Sequence, residues 1–273
     1  MALSRLPPIA ACAVALLALA PRMAGAETLV ARYEVRAAGI QIMEIEAQFE
    51  LEGPRYRLRA RIRTTGVANV FGRGDQVTST EGAWRGSDPI PARYRVEGIW
   101  RGARRAVALD WPRSGQPVLA ELEPPIEPDR QPVPEALRLG TMDALSALAK
   151  LTRTVATTGR CDAAAAVYDG RRRADYTAQT EGMQVLPQEG AFGGEALRCG
   201  FESRLLAGWR SDREAEWAKQ PQPATAWLGR PLPGRQPIPV RIEMPSRWLG
   251  TIRVVLLDVR PLASGQEVAQ QRQ

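Results

Sequence analysis

The sequence predicts an all-β fold, mainly antiparallel, in which about twelve strands form a curved or closed β-barrel or half-barrel around one packed α-helix. Three observations support this prediction. Apolar and charged residues alternate through residues 43–64, short alternating segments recur along the rest of the chain, and residues 141–156 carry one clear helical pattern. Closing such a sheet removes its exposed strand edges, which favours a barrel.

The clearest element is a hairpin that turns at Gly53-Pro54. Apolar residues alternate with mostly acidic residues over 43–52, and with arginines over 55–64. Period two therefore predicts one apolar face and one solvated acid–base ladder, rather than a nucleic-acid surface. The predicted cross-strand pairs are Glu52–Arg55, Glu50–Arg57, Gln48–Arg59, Glu46–Arg61, Glu44–Arg63, Phe49–Leu58 and Ile45–Ile62. The apolar parity changes near Ile42, which predicts a β-bulge or a change of face there.

Further strands are predicted on both sides of a proline-rich segment. They span 76–84, 92–100, 103–111 and 117–122, and then 164–179, 194–206, 224–228, 238–244 and 251–259. Residues 123–134 hold five prolines, so they predict an extended linker that crosses the sheet or leads into the next element.

The helix is predicted to begin at Thr141, an N-cap residue that follows Gly140, with Asp143 in its first turn. Gly159 is predicted to end it. One narrow face, flanked by alanines, carries Met142, Leu145, Leu148, Leu151 and Val155. We expect this helix to pack onto the sheet or to plug the barrel.

Residues 1–26 are predicted to be a cleaved signal peptide. The apolar run of residues 9–20 is too short to span a bilayer, and Ala24-Gly25-Ala26 suits a signal peptidase. Cleavage before Glu27 would leave a periplasmic protein without a transmembrane segment, with one β-rich domain over 27–260 and a frayed tail over 261–273. The alternative is a lipoprotein modified at Cys12, which is disfavoured because the long apolar run follows that cysteine.

Composition excludes several kinds of active site. Histidine is absent, which removes the base of Ser-His-Asp and Cys-His catalysis and the commonest metal ligand. We therefore predict no metal and no cofactor. The mature net charge would be 35 − 30 = +5, and Lys150 and Lys219 are the two lysines. A nucleic-acid binder usually clusters its positive charge and includes lysine, so no nucleic-acid partner is predicted.

Two cysteines, Cys161 and Cys199, would remain after removal of the signal peptide. In an oxidising compartment such a pair predicts a disulfide. Its stabilisation would be about 4 kcal/mol in the chain-entropy treatment. Two unpaired buried thiols are the alternative, and a metal site is disfavoured because no histidine accompanies the pair.

The densest polar segment spans residues 167–176. If it is one continuous strand, Tyr168, Arg172 and Tyr176 share an inward face. The charged residues between them would then form a solvated set: Asp169, Arg171, Arg173 and Asp175. A buried guanidinium needs a carboxylate or an anionic ligand, so Arg172, Tyr168 and Tyr176 are the predicted ligand-binding residues. The alternative is a turn at Asp169-Gly170 followed by an ordinary charged edge.

Several motifs together resemble those of one bacterial family. They are the exported leader, GTMDALS at 140–146, YDGRRR at 168–173, the two bracketing cysteines and LGTIR at 249–253. Over residues 33–259 the chain resembles the exported proteins grouped as a domain of unknown function, DUF3108. That family usually has an aromatic residue after the arginine run, where this chain has Ala174. The resemblance implies a periplasmic β protein and no assigned reaction.

Three functional classes follow from these observations. The predicted one is a non-catalytic envelope protein that binds a lipid or other amphiphile on its apolar concave face, which some of the seven tryptophans would line. The second is a structural or interaction protein of the envelope without a ligand. The third is a carboxylate-based hydrolase, for which no paired-acid motif is present, so no catalytic residue is predicted. Its available acids are Asp75, Glu81, Asp169 and Asp175.

Overall fold

The structure is a computed structural model that describes residues 28–210, 216 and 219–262. The predicted signal peptide lies outside the described residues. The first two residues of the predicted tail are ordered parts of the fold. Pro261 ends the last strand, and the buried Leu262 donates its amide to the carbonyl of Thr28 over 2.8 Å.

The described residues include thirteen strands, two α-helices and a short 3₁₀-helix, Glu135–Leu137. The first seven strands are β1 (Leu29–Ala37), β2 (Ile40–Glu50), β3 (Arg55–Thr64), β4 (Gly74–Arg85), β5 (Asp88–Trp100), β6 (Ala103–Asp110) and β7 (Val118–Glu123). The remaining six are β8 (Ala163–Tyr168), β9 (Arg173–Glu189), β10 (Phe192–Ala207), β11 (Gln222–Gly229), β12 (Ile238–Ser246) and β13 (Gly250–Pro261). The helices are α1 (Ala68–Phe71) and α2 (Ala144–Thr158).

All these strands belong to one antiparallel sheet. Its order is β7-β6-β5-β4-β3-β2-β1-β13-β12-β11-β10-β9-β8. Two meanders, β1 to β7 and β8 to β13, are joined where β1 pairs with β13. The predicted antiparallel, barrel-like architecture is thus confirmed, and β7 and β8 are the two edges that face one another across the curl.

The hairpin of β2 and β3 has the predicted register, with Phe49 opposite Leu58 and Ile45 opposite Ile62. The predicted bulge is present, because the pairing of β1 with β2 shifts past Ile42. One ladder prediction is wrong. Since β2 ends at Glu50, Glu52 does not oppose Arg55; its carboxylate lies 3.5 Å from the guanidinium of Arg235.

Helix α2 lies on the concave face, and both meanders contribute to the core around it. Ala149, at the centre of the helix, is completely buried. The core residues that surround it come from β1, β2, β3 and β9 to β13, and include Leu29, Ala31, Tyr33, Phe49, Leu58, Leu186, Trp227, Ile238, Val240 and Leu256. A curled sheet therefore obtains most of its core by closing around one helix.

The N-terminus of α2 differs from the prediction. Asp143 is the N-cap, because its side chain accepts the amide of Ser146 over 2.9 Å. Thr141 instead donates its hydroxyl to the carbonyl of Arg138 over 2.6 Å. The predicted end is confirmed, since Gly159 takes a left-handed conformation with φ of 69°.

A disulfide joins Cys161 to Cys199, as predicted. It links the segment after α2 to β10, and both cysteines are completely buried. They pack with Leu151 and Val155 of the helix in an apolar cluster. The disulfide therefore ties the C-terminal end of α2 to the sheet.

Candidate functional site

Of the two interpretations of residues 167–176, the turn at Asp169-Gly170 is the correct one. Residues 169–172 interrupt the β pattern of 164–179, and the single continuous strand is wrong. The carboxylate of Asp169 accepts the amides of Arg171 and Arg172 over 2.8 and 2.7 Å. Gly170 has φ of 92°, a conformation that favours glycine. Asp-Gly turn chemistry therefore outweighs the alternating pattern and separates β8 from β9.

This turn separates the three predicted ligand-binding residues. Arg172 is exposed on the turn itself. Tyr168 is buried at the end of β8, where its hydroxyl donates to the carbonyl of Gly170 over 3.2 Å. Tyr176 lies on β9 and is 40% exposed. The prediction that they share one inward face is wrong, because the turn moves Arg172 out of the strand.

The neighbouring arginines are less exposed than Arg172, contrary to their predicted solvated position: Arg173 is buried and Arg171 is partly buried. Arg171 donates to the carbonyls of Pro124 and Pro125 and lies 3.3 Å from the carboxylate of Glu127. Its N–H groups thereby hold the linker that follows β7 against the turn that follows β8. A second guanidinium, that of Arg130, lies 2.8 Å from the Glu127 carboxylate. Its hydrogen bond is the main reason that the pKa of Glu127 is lowered to about 2.

The gap between edge strands β7 and β8 is thus closed by side chains and by the linker, which we call the seam. A Cβ atom at Gly170 would lie 3.0 Å from Val107 of β6 and 3.2 Å from Leu119 of β7, so the turn packs directly against the opposite meander. An apolar cluster lies beneath the seam and comprises Tyr94, Val96, Leu109, Val133, Tyr168 and Ala207.

The chain just before α2 covers the free edge of β8. The amide of Met142 donates to the carbonyl of Ala166, and the amide of Tyr168 donates to the carbonyl of Met142, both over 2.9 Å. Further along, Lys150 of the helix donates to the carbonyl of Ala164 over 3.0 Å. These bonds satisfy backbone groups that an edge strand would otherwise expose.

A buried network fixes the other side of the helix N-terminus to the sheet. The hydroxyl of Ser146 donates to the carboxylate of Asp143 over 2.5 Å and lies 2.8 Å from the hydroxyl of Tyr56 on β3. Thr80 on β4 donates to the same carboxylate over 2.9 Å. These four polar residues, called here the Asp143 network, are all almost completely buried.

The Asp143 network anchors the start of α2 to strands β3 and β4. Burial raises the pKa of Asp143, and the hydrogen bonds from Ser146 and Thr80 oppose that shift. Ser146 is completely buried and its hydroxyl is directed to a carboxylate, with no imidazole to act as a base. The GTMDALS motif contains two members of the network, but Tyr56 and Thr80 come from strands whose tertiary placement no local pattern reveals.

An apolar cavity of about 250 Å³ lies between α2 and strands β8 to β12. Alanines make up much of its wall, and they are Ala144, Ala147, Ala163, Ala164, Ala165, Ala178, Ala224 and Ala226. Leu148, Leu151, Val167 and Phe201 add larger apolar surfaces. Of the predicted ligand-binding residues, Tyr176 lines this cavity. We call it the alanine cavity.

The acids considered for a hydrolase are each held by local partners. Asp75 lies 2.7 Å from Arg61, Glu81 lies 2.9 Å from Arg93, and Asp175 lies 2.8 Å from Arg173. The carboxylate of Asp169 accepts two backbone amides of the turn. Within the described ranges, no three acidic or cysteine side chains come together as a metal site.

The chain matches one known protein family over most of its length. The family described as "Protein of unknown function (DUF3108)" matches residues 30–257. The chain belongs to the DUF3108 family. The two meanders, the seam and the buried helix that they enclose are therefore the frame of a DUF3108 protein. A comparison with curated proteins finds no match.

Two solved structures resemble the DUF3108 chain. One is a β-barrel-like protein of the domain of unknown function DUF1849 from Brucella abortus, with 16% identity and a TM-score of 0.53. That similarity covers 88% of this chain and 99% of the other, and it shows a shared fold. The other is a putative lipoprotein from Parabacteroides distasonis ATCC 8503, with 9% identity, coverage of 86% and 96%, and a TM-score of 0.33.

None of the helices in the described part of the chain is long and apolar enough to span a bilayer.

The Asp143 network predicts opposite effects for two substitutions. Asp143→Ala removes the N-cap and the carboxylate that Ser146 and Thr80 share as an acceptor, so it should lower the free energy of unfolding by about 2–4 kcal/mol. Asp143→Asn keeps a cap and an acceptor and removes a buried charge, so it should be close to neutral or stabilising at neutral pH. Urea denaturation of both variants measures the difference.

The pH dependence of the free energy of unfolding gives a second comparison between wild type and Asp143→Asn. A raised pKa means that the folded protein holds this proton more tightly than the unfolded chain. That stabilisation is present below the ordinary carboxyl pKa of about 3.9 and is lost as the pH rises above it. Asp143→Asn should therefore gain stability relative to wild type between about pH 4 and pH 7. A constant difference over this range would contradict the assignment of a costly buried carboxylate.

The seam predicts unequal roles for two adjacent arginines. Arg171→Leu removes the donor to the carbonyls of Pro124 and Pro125 and one of the two arginines beside Glu127, so it should lower the free energy of unfolding by about 2–3 kcal/mol. The exposed Arg172 is the matched control, and Arg172→Leu should change it by less than about 0.5 kcal/mol. Equal effects in urea denaturation would show that Arg171 does not close the seam.

Proposed function

We propose that this DUF3108 protein is an exported, non-catalytic binding protein that holds one lipid or other amphiphile, with its apolar part in the alanine cavity. The observation that carries the proposal is the cavity itself, an opening of about 250 Å³ next to a helix whose remaining contacts are well packed. Protein interiors are usually filled, so a persistent apolar space calls for an occupant.

The residues that line the alanine cavity indicate which ligands would fit it. Alanines occur where α2 faces β8, β9 and β11, and their short side chains leave the space that leucines would fill. The volume is slightly below the roughly 300–1,000 Å³ of sites for drug-sized ligands. A single acyl chain or a similarly narrow apolar group therefore suits the cavity better than a fused-ring ligand.

Tyr176 and Arg172 would hold the polar head of the amphiphile. Burial raises the pKa of Tyr176, and the charge of Arg172 is close enough to lower it. Arg172 is exposed and has no ion-pair partner among the described residues, whereas Arg171 and Arg173 are engaged with the linker and with Asp175. A free guanidinium beside a cavity wall suits a carboxylate or phosphate head group.

The predicted export also agrees with the chemistry of the chain. The Cys161–Cys199 bond is stable in an oxidising compartment such as the periplasm. A carrier also needs no reacting group, and the acids considered for hydrolysis are occupied by arginines or by a turn. These observations favour a binding protein over a hydrolase.

Filling the cavity tests the proposal. Ala147→Phe should lower the affinity for dansyl-labelled undecanoic acid by at least about tenfold, because the ring occupies the space of the acyl chain. Its free energy of unfolding should stay equal or rise. Ala120→Phe, on the exposed outer part of β7, is the matched control and should bind the probe like wild type. Probe binding unaffected by Ala147→Phe, or absent in wild type, would refute the site.

The same probe-binding assay tests whether Arg172 binds the head group of the ligand. Loss of a charge-assisted hydrogen bond predicts an affinity about tenfold lower for Arg172→Gln. Arg113→Gln, another exposed arginine without an ion-pair partner among the described residues, serves as control.

A further inference from the structure

Four strand connections lie side by side at one end of the sheet. They are residues 38–39, 65–73, 101–102 and 247–249; together with Ile40, the first residue of β2, we call them the basic rim. Ala37 pairs with both Ile40 and Ile252, which brings the first connection next to the last. The amide of Thr65 donates to the carbonyl of Ile42 over 3.0 Å. The amide of Gly102 donates to the carbonyl of Arg73 over 3.2 Å, which completes a continuous surface.

The basic rim exposes large apolar side chains that the core does not use. Trp248 is 77% exposed and Val70 is 83% exposed, and Ile40, Val67 and Leu249 are about half exposed. Single exposed apolar residues are ordinary on a protein surface, but contiguous ones at one end mark a contact surface. Loop tips of this kind would bury apolar area if they entered an apolar phase.

The charge of the basic rim has one sign. Its four connections contain Arg73, Arg101 and Arg247 and no aspartate or glutamate. None of the three arginines has an ion-pair partner among the described residues, and Arg247 stacks on the ring of Trp248 at 4.8 Å. Asp75, the first acid below the rim on β4, is neutralised by Arg61 at 2.7 Å. Glu97, below the rim on β5, is exposed and remains available as a counter-charge within the protein.

We propose that the basic rim docks on an anionic lipid bilayer, with the arginines at the phosphate groups and Trp248 and the aliphatic side chains in the interfacial layer. Tryptophan is favoured at that depth, and arginines near the surface add attraction to anionic lipids. An acidic protein surface would match the charge but not the projecting aliphatic tips at several separate turns. This docking is independent of the alanine cavity, which lies on the concave face.

Co-sedimentation with vesicles tests the proposal. The purified protein should bind vesicles of equal parts phosphatidylcholine and phosphatidylglycerol, bind pure phosphatidylcholine far more weakly, and lose affinity as salt is added. Trp248→Ser should weaken binding by about tenfold. Each of Arg73→Gln, Arg101→Gln and Arg247→Gln should weaken it by about fivefold.

Matched controls separate docking from general stickiness. Val185 is 70% exposed on β9, away from the rim, so Val185→Ser should bind vesicles like wild type. Arg113 lies on the connection between β6 and β7, at the opposite end of the sheet, so Arg113→Gln should also bind vesicles like wild type. Ala147→Phe should bind vesicles fully, so that loss of probe binding and loss of docking are distinguishable.

Three results would overturn the proposal. They are equal binding to both kinds of vesicle, equal effects of Trp248→Ser and Val185→Ser, and a concentration-dependent dimer that Trp248→Ser dissociates while vesicles are not bound. The last result would assign the basic rim to a second copy of the chain. Thermal denaturation of each variant verifies that it is folded, which these exposed positions favour.

Discussion

The structure depends on the hydrogen bonds that one buried side chain, Asp143, accepts. Asp143 caps helix α2 and accepts hydrogen bonds from the hydroxyls of Ser146 and Thr80, and Tyr56 completes the network from a neighbouring strand. Burying a carboxylate is costly unless its oxygens are satisfied, so the helix can occupy this position in one orientation only. Because the sheet curls around α2, fixing the helix also fixes the concave core.

The far end of the helix and the gap in the sheet are secured by different chemistry. The Cys161–Cys199 disulfide ties the segment after α2 to β10, and Arg171 holds the linker against the β8–β9 turn. Edge strands β7 and β8 are thereby covered without pairing with each other. Where α2 faces the second meander, alanines replace larger apolar residues, and the alanine cavity results. An anchored helix beside an incompletely filled cavity suits a rigid frame with one binding space.

Much of the fold follows from local patterns in the sequence. Alternation predicts the β2–β3 register, because a slip of one residue would bury the arginines, and the parity change at Ile42 predicts the bulge. The cysteine count predicts the disulfide, and Gly159 predicts the end of the helix. These features depend on residues that are close in sequence or few in number, so no tertiary information is needed.

The errors have two physical causes, one local and one long-range. The alternation of residues 167–176 suggests one strand, but the Asx turn at Asp169 and the backbone freedom of Gly170 reverse the chain there. Arg171 finds its carbonyl partners in a linker more than forty residues earlier, as the separation of 47 from Pro124 shows. Thr141 is the predicted cap, but it donates to Arg138, and Asp143 caps the helix with Thr80 of a distant strand as a further partner. Local turn chemistry therefore decides the first of these positions, and the distant partners of Arg171 and Asp143 are not visible in the sequence alone.

We propose that an amphiphile occupies the alanine cavity in a frame fixed by α2. An NMR experiment in which undecanoic acid is titrated into protein labelled at its alanine methyl groups tests this most directly. We expect shift changes and intermolecular nuclear Overhauser effects at Ala147, Ala178 and Ala224, which line the cavity, with Ala120 unaffected. Changes spread over outer alanines, or none at the cavity wall, would contradict the account.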